Sequence, residues 1–283
     1  MSGKRTTLSR RVIFLIFLAH PSFFGLGAQE KNDQSLLPRI LTQTAAYCRT
    51  FGSATLNYVC LEDVLETNYS PYRVVPWSFD GVVTSSKKNH LVYDYQVVKK
   101  GDDIREQRIL LEDNGKKVNA KGASLQVKRF PYRNIVLGPM LLSEYWQNYH
   151  DYKVVGRERV GKEPCLIIEA VPKPSIILDH LFGKIWVGER NFKIWKLEWY
   201  QESIDNFQAA EEMAKLLNAI PQIKISMEYA FEEKGIRFPS KYVLSEEYIN
   251  QRGVHYILSV LTVVFKNYKF FTVETEVELK KGA

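Results

Sequence analysis

Residues 184–229 read KIWVGERNFKIWKLEWYQESIDNFQAAEEMAKLLNAIPQIKISMEY, and a change of period inside that stretch decides the fold. Trp195, Leu197 and Trp199 alternate with Lys196 and Glu198, as Ile223, Ile225, Met227 and Tyr229 do with Lys224, Ser226 and Glu228. A period of two is that of a strand with one face in a core. Between these strands Ala210, Met213, Ala214, Leu216, Leu217 and Ile220 recur at helical spacing; Asp205 with Gln208 has the spacing of a capping box, and Pro221 ends the segment. An amphipathic helix over about Asp205 to Ala219 is therefore inserted between strands. Its apolar stripe, with Phe207, Met213, Leu217 and Ile220, has to lie on something, and the sheet is the only large surface on offer.

Outward from there almost every segment reads as a strand. Downstream these are Ile236 to Tyr248, Val254 to Phe265 and Phe270 to Leu279; upstream, Tyr152 to Val160, Cys165 to Val171 and Lys184 to Gly188. Further upstream, Leu91, Tyr93, Tyr95 and Val97 lead through a turn at Gly101 to Asp103 into Ile104 to Glu112, a hairpin followed by a second turn at Asp113, Asn114 and Gly115. Met140 to Tyr149 reads as a short helix. Short connections demand antiparallel neighbours. The fold class is mainly β (α+β): a single strongly curved antiparallel sheet, a half-open β-barrel with helices covering its concave side.

Near the start, Leu37, Ile40, Leu41, Thr44, Cys48 and Phe51 keep helical spacing, with Ser35 as N-cap, Pro38 in the first turn and Gly52 just past the end. Ala54, Leu56, Tyr58, Cys60 and Val64 then line one side of a strand. If that helix packs on that strand, Cys48 and Cys60 can meet in a disulfide, the expected state, with two buried free thiols as the alternative; Cys165 is expected free, an inert buried thiol.

The first 28 residues have the order of an export signal: Lys4, Arg5, Arg10 and Arg11, an apolar run from Val12 to Ala19, then small residues at Gly27 and Ala28. Cleavage after Ala28 would begin the mature chain at Gln29, and no Cys stands near the site to take a lipid. The expected division is residues 1–28 signal peptide, 29–34 linker and 35–283 one domain, exported to the periplasm. Removing four basic residues changes 39 Lys plus Arg against 32 Asp plus Glu into 35 against 32, a net charge of +3. That balance gives no electrostatic case for nucleic acid.

Catalytic signatures are missing. His90, His150, His180 and His255 have no metal-pair spacing, and Asp179 beside His180 is a loop neighbour pair rather than a dyad; there is no nucleophile elbow, phosphate loop or dinucleotide fingerprint. No catalytic residue, metal or cofactor is expected. Large apolar surface on strands is what abounds. Taken singly these are ordinary core residues; taken together, a long curling sheet covered by two modest helices leaves room for a lined pocket. Trp195, Trp199, Met227, Tyr229 and Leu244 are the expected lining, with the 205–219 helix over its mouth.

Val155-Gly156-Arg157-Glu158, Gly161-Lys162, Cys165 to Glu169, Gly183-Lys184-Ile185-Trp186-Val187 and Ile194 to Glu198 together resemble the outer-membrane lipoprotein-sorting proteins, the LolA/LolB-like superfamily of bacterial envelope carriers. The order of elements is similar over most of the chain, with extra length in residues 69 to 135. The resemblance implies a half-open barrel whose helices form a lid over an apolar cavity for lipid or lipoprotein acyl chains. The function it implies is a periplasmic carrier in outer-membrane lipoprotein or lipid trafficking. Its partners would be a lipid or lipidated protein and envelope membrane proteins. An envelope lipid sensor or structural partner of the same shape is the alternative, and a hydrolase with a dispersed site is third.

Overall fold

The computed structural model describes residues 24–54, 57–69, 86–100, 103–124, 138–174, 182–204 and 207–271. Its elements are α1 (Phe24–Ser53), β1 (Asn57–Tyr69), β2 (Ser86–Lys100), β3 (Asp103–Asp113), β4 (Lys116–Lys121), a 3-10 turn (Gly138–Leu142) and α2 (Glu144–Gln147). They continue as β5 (His150–Val160), β6 (Glu163–Pro172), β7 (Gly183–Gly188), β8 (Ile194–Trp199), a 3-10 turn (Gln201–Ser203) and α3 (Phe207–Leu217). The chain then forms β9 (Ala219–Glu228), β10 (Phe231–Glu233), β11 (Ile236–Phe238), β12 (Lys241–Asn250) and β13 (His255–Phe270).

Eleven strands make one antiparallel sheet in the order β4-β3-β2-β1-β13-β12-β9-β8-β7-β6-β5, and β10–β11 form a separate hairpin. Two meanders are joined where β1, the first strand, pairs with β13, the last, with Glu62 opposite Phe265 and Glu66 opposite Leu261. The sheet is open, since its end strands β4 and β5 are not neighbours. The alternation read from the sequence is the burial seen: Tyr58, Cys60 and Val64 on β1, Leu91, Tyr93, Tyr95 and Val97 on β2, and Tyr242, Leu244 and Tyr248 on β12 all face the core. Asn114 and Gly115, at φ 48° and 80°, take the left-handed conformations that a two-residue hairpin turn needs.

Several boundaries differ from expectation. Residues 29–34 are not a linker: α1 runs through them from Phe24, so Ser35 is no cap and Pro38 lies inside the helix. Tertiary contacts carry the helix past the proline. Asp33 accepts hydrogen bonds from the Arg157 guanidinium, and the Gln34 amide donates to Val154 O at 2.7 Å while its oxygen faces Val154 N at 3.4 Å. The strand expected over Ile236 to Tyr248 is broken at Pro239, where the β10–β11 hairpin ends and β12 begins. Conversely, the gap expected between Phe265 and Phe270 is bridged: β13 is continuous to Phe270, absorbing Asn267 at φ 58°. Of the long stretch 69 to 135, residues 86–121 supply β2, β3 and β4. The signal-peptide segment 1–23 lies outside the described residues, as does the strand expected beyond Phe271.

Candidate functional site

The face of the sheet that carries Tyr58, Tyr95, Leu197, Ile225 and Leu244 is the inner face, and two helices lie on it. α1 packs chiefly on β5 and the 138–142 turn, burying Ile40, Thr44, Cys48 and Phe51 as the helical spacing requires. Polar contacts fix its middle: Gln147 Nε2 donates to Leu41 O at 2.9 Å, and the backbone N–H of Arg237 donates to the Tyr47 hydroxyl at 3.1 Å. Burial pushes the Tyr47 hydroxyl up to about 12, so it stays a neutral acceptor. α3 packs on β9 and β12. Among its described side chains Ala210 is the deepest, at 1% exposure, and Met213, Ala214 and Leu217 are half-buried.

The expected lining residues do come together. Trp199, Met227, Tyr229 and Leu244 are all buried in one core cluster that also holds Ile40, Tyr47, Cys48 and Phe51 of α1 and Ala210 of α3. Register explains it: Leu197 stands opposite Met227 and Trp199 opposite Ile225 on β8–β9, while Tyr242 stands opposite Met227 on β12–β9. Side chains of α1 belong to the same buried cluster, and Tyr47 reaches the β10–β11 hairpin through the Arg237 N–H. Trp195 is different, half-buried beneath the Arg237 guanidinium, whose Cζ is 3.2 Å from the indole centroid. Arg237 also donates through Nε to Tyr229 O at 2.7 Å, which holds the β10–β11 hairpin over that end of the sheet.

The lid helix needs correction at its ends. α3 stops at Leu217 and the strand begins at Ala219, so Ile220 and Pro221 belong to β9 and Ile220 is 68% exposed. Pro221 sits within the first turns of a strand because tertiary pairing with Tyr248 of β12 overrides its helix-ending role. Leu216, at 63%, points to water. Of Phe207 only the backbone is described, and Asp205 lies outside the described residues. Beside α3 a wide, open depression is lined by Gln201, Glu211, Ala214, Lys215, Asn218, Ala219 and Pro221.

The disulfide expected between Cys48 and Cys60 is not there; Cys48, Cys60 and Cys165 are all buried thiols. α1 leans on β5 and the 138–142 turn instead of on β1, which takes Cys48 to the backbone of Leu142 while Cys60 faces the Tyr268 hydroxyl. Burial pushes the Cys48 thiol up to about 12 and the Cys165 thiol up to about 11, so neither is a ready nucleophile. Asp179 and His180 lie outside the described residues. Among the described residues no group of three His, Cys, Asp or Glu is placed to hold a metal ion.

Sequence reading missed the charges on the inner face. Glu62 is fully buried on β1 and takes a two-pronged hydrogen bond from Arg108 of β3, Nε to Oε2 at 2.7 Å and Nη2 to Oε1 at 3.0 Å. Glu246 of β12 is equally buried and accepts from the hydroxyls of Tyr248 at 2.8 Å and Ser259 at 3.0 Å. A signal was present: Glu62 falls on the inward parity between Cys60 and Val64, as Glu246 does between Leu244 and Tyr248.

Several solved structures are similar to this chain, among them the following three. A LolA superfamily protein from Nitrosomonas europaea matches at 13% identity over 84% of this chain and 94% of its own, with a TM-score of 0.35. A putative outer membrane lipoprotein-sorting protein domain from Vibrio parahaemolyticus matches at 10% identity over 83% of this chain and 93% of its own, with a TM-score of 0.39. A DUF1329 family protein from Desulfovibrio piger matches at 13% identity over 84% and 94%, with a TM-score of 0.35. No family model matches the sequence, and no curated protein matches it.

Proposed function

We propose that this chain is a non-catalytic binding protein that holds an acyl chain or similar apolar client against the inner face of its sheet, with α3 as the element that yields. The observation that carries this reading is the footing of α3 among its described side chains, residues 210–217: Ala210 is buried, Met213, Ala214 and Leu217 are half-buried, and Leu216, with the neighbouring Ile220, is open to water. A helix so lightly seated on an apolar surface can part from it at small cost and can offer that surface, with its own apolar side chains, to a client. Buried thiols and paired carboxylates suit a binding interior better than a reactive one.

The setting in this reading is the bacterial envelope. The signal peptide is cleaved near Ala28, the mature chain is exported to the periplasm, and its cargo is a lipid or lipidated protein passed between envelope membrane proteins. Cleavage there leaves the Asp33 and Gln34 contacts to β5 intact. A second reading, a lipid sensor or structural partner without transport, draws on another observation: Trp199, Met227, Tyr229 and Leu244 are buried in one cluster with side chains of α1 and of the sheet itself.

Uptake of a fluorescent fatty-acyl probe, measured together with the denaturation midpoint on wild type and on the Met213→Glu, Leu217→Glu double variant, separates these. The carrier reading expects wild type to take up the probe and the stable double variant to lose it. Binding unchanged in the double variant sinks the lid, and a wild type that takes up no probe favours the second reading.

A further inference from the structure

β5 is an end strand of the open sheet, and its outer edge is covered only in part. In an antiparallel pair, residues that bond their neighbour alternate with residues that turn both backbone groups away. Tyr149 O accepts from Lys173 N at 2.9 Å, so the bonded series continues through Asp151 and Lys153, and Tyr152 and Val154 face outward. Towards the other end of β5, Pro164 O accepts from Glu189 N, on the side of β7. Arg159 stands opposite Pro164, so its N–H and C=O also face outward, and those of Arg157 with them. Among the described residues no strand pairs with this edge.

At Val154 the edge is met by α1, in the manner of a strand. The Gln34 amide donates to Val154 O at 2.7 Å and its oxygen faces Val154 N at 3.4 Å, so one primary amide takes both groups that a next strand would bond. Beside it, Asp33 accepts from the Arg157 guanidinium. α1 thereby displays what this edge accepts: a peptide-like amide with a carboxylate next to it. A bulge between Val154 and Gly156 sets the charge of the rest. It shifts the alternation by one, so that Arg157 and Arg159 share the face of Val154, while Glu158 turns to the other face and accepts from Trp186 Nε1 at 2.8 Å. Arg157 is held by Asp33 and Glu189; Arg159 is exposed.

We propose that the β5 edge from Gly156 to Val160 is a docking strand for an extended segment of a partner protein, and that this segment carries carboxylates on the face beside Arg157 and Arg159. Backbone pairing at Arg157 and Arg159 gives the register, and the two guanidinium groups select the charge. Gln34 ends the docking strand at Val154. A second copy fits less well, because two-fold pairing of β5 about Glu158 would set Arg157 opposite Arg159, like charge against like. The inference is independent of the carrier reading.

The test uses the full chain and labelled, capped peptides of sequence TVEVEVTV and TVKVKVTV, followed by fluorescence anisotropy. The acidic peptide should bind at least about tenfold more tightly than the basic one. It should also slow hydrogen exchange at the Arg157 and Arg159 amides, which face away from β6. Arg159→Glu, a change at an exposed side chain, should abolish the preference, and Gln34→Ala should tighten binding by about two- to fivefold by freeing one more pair on the edge. Failure of the acidic peptide to bind, equal binding of the two peptides, or a preference that survives Arg159→Glu overturns the inference. Dimerisation of the chain alone that Arg159→Pro abolishes would give the edge to a second copy and overturn it as well.

Discussion

α1 and α3 lie on the same inner face, and they are seated in opposite ways. α1 is tied down along its length, by Asp33 and Gln34 to β5, by Leu41 O to Gln147 and by Tyr47 to the β10–β11 hairpin, and it buries Ile40, Cys48 and Phe51 almost completely. Among its described side chains α3 buries Ala210 alone, half-buries Met213, Ala214 and Leu217, and leaves Leu216 in water. The difference teaches that amphipathic spacing alone does not tell a core helix from a movable one. Polar anchors do, because each must be broken before the helix can leave.

Breaking that contrast should cost most at α1. Phe51→Ala is expected to lower stability by about 3–5 kcal/mol, read from the denaturation midpoint, since the ring is 3% exposed and its removal leaves a cavity in the core. Arg157→Ala should follow at about 2 kcal/mol, because it strands the buried Asp33 carboxylate, with the loss recovered in an Asp33→Asn, Arg157→Ala pair. On α3, Leu216→Ser should shift the midpoint by no more than about 0.5 kcal/mol, a value that marks it as surface. A loss above about 2 kcal/mol there would make α3 as much core as α1.

The smallest effect concerns pH at the start of β5. Burial lowers the pKa of His150 below its ordinary 6.5, and its Nδ1 lies 3.0 Å from Trp146 O. The unfolded chain therefore binds a proton more readily than the folded one. Stability contributed at this site is complete above 6.5 and is lost as pH falls from there through the lower folded value. Replacing His150 with Gln should flatten that part of the stability–pH profile, measured by denaturant midpoints across pH 5 to 8. An unchanged slope would place the titration elsewhere.

Much of the fold was legible because strand periodicity is a local signal. The alternation at Tyr58 to Val64, Leu91 to Val97 and Tyr242 to Tyr248 gave faces as well as strands, and the two helices stood out by their change of period. What escaped was decided at long range. Nothing near Gln34 announces that its amide will meet Val154, so the continuation of α1 through Pro38 could not be read locally. The Cys48–Cys60 bridge failed for the same reason: the helix and the strand were read correctly, but which strand the helix packs on is set by the meander order. Four of the five residues expected to line a cavity share one buried cluster with side chains of α1, while Trp195 stands apart under Arg237, and sequence does not announce either placement. Glu62 and Glu246 were legible by parity and were passed over because a core is expected to be apolar.

The central claim is that α3 yields to an apolar client while α1 stays. Hydrogen exchange on the full chain, with and without a fluorescent fatty-acyl probe, tests it most directly. Without probe, amides of α3 should exchange well before those of α1 between Ile40 and Phe51, and saturating probe should slow exchange across α3 and the start of β9 while leaving α1 unchanged. Equal protection of the two helices, or probe-dependent change confined to α1, would contradict the account.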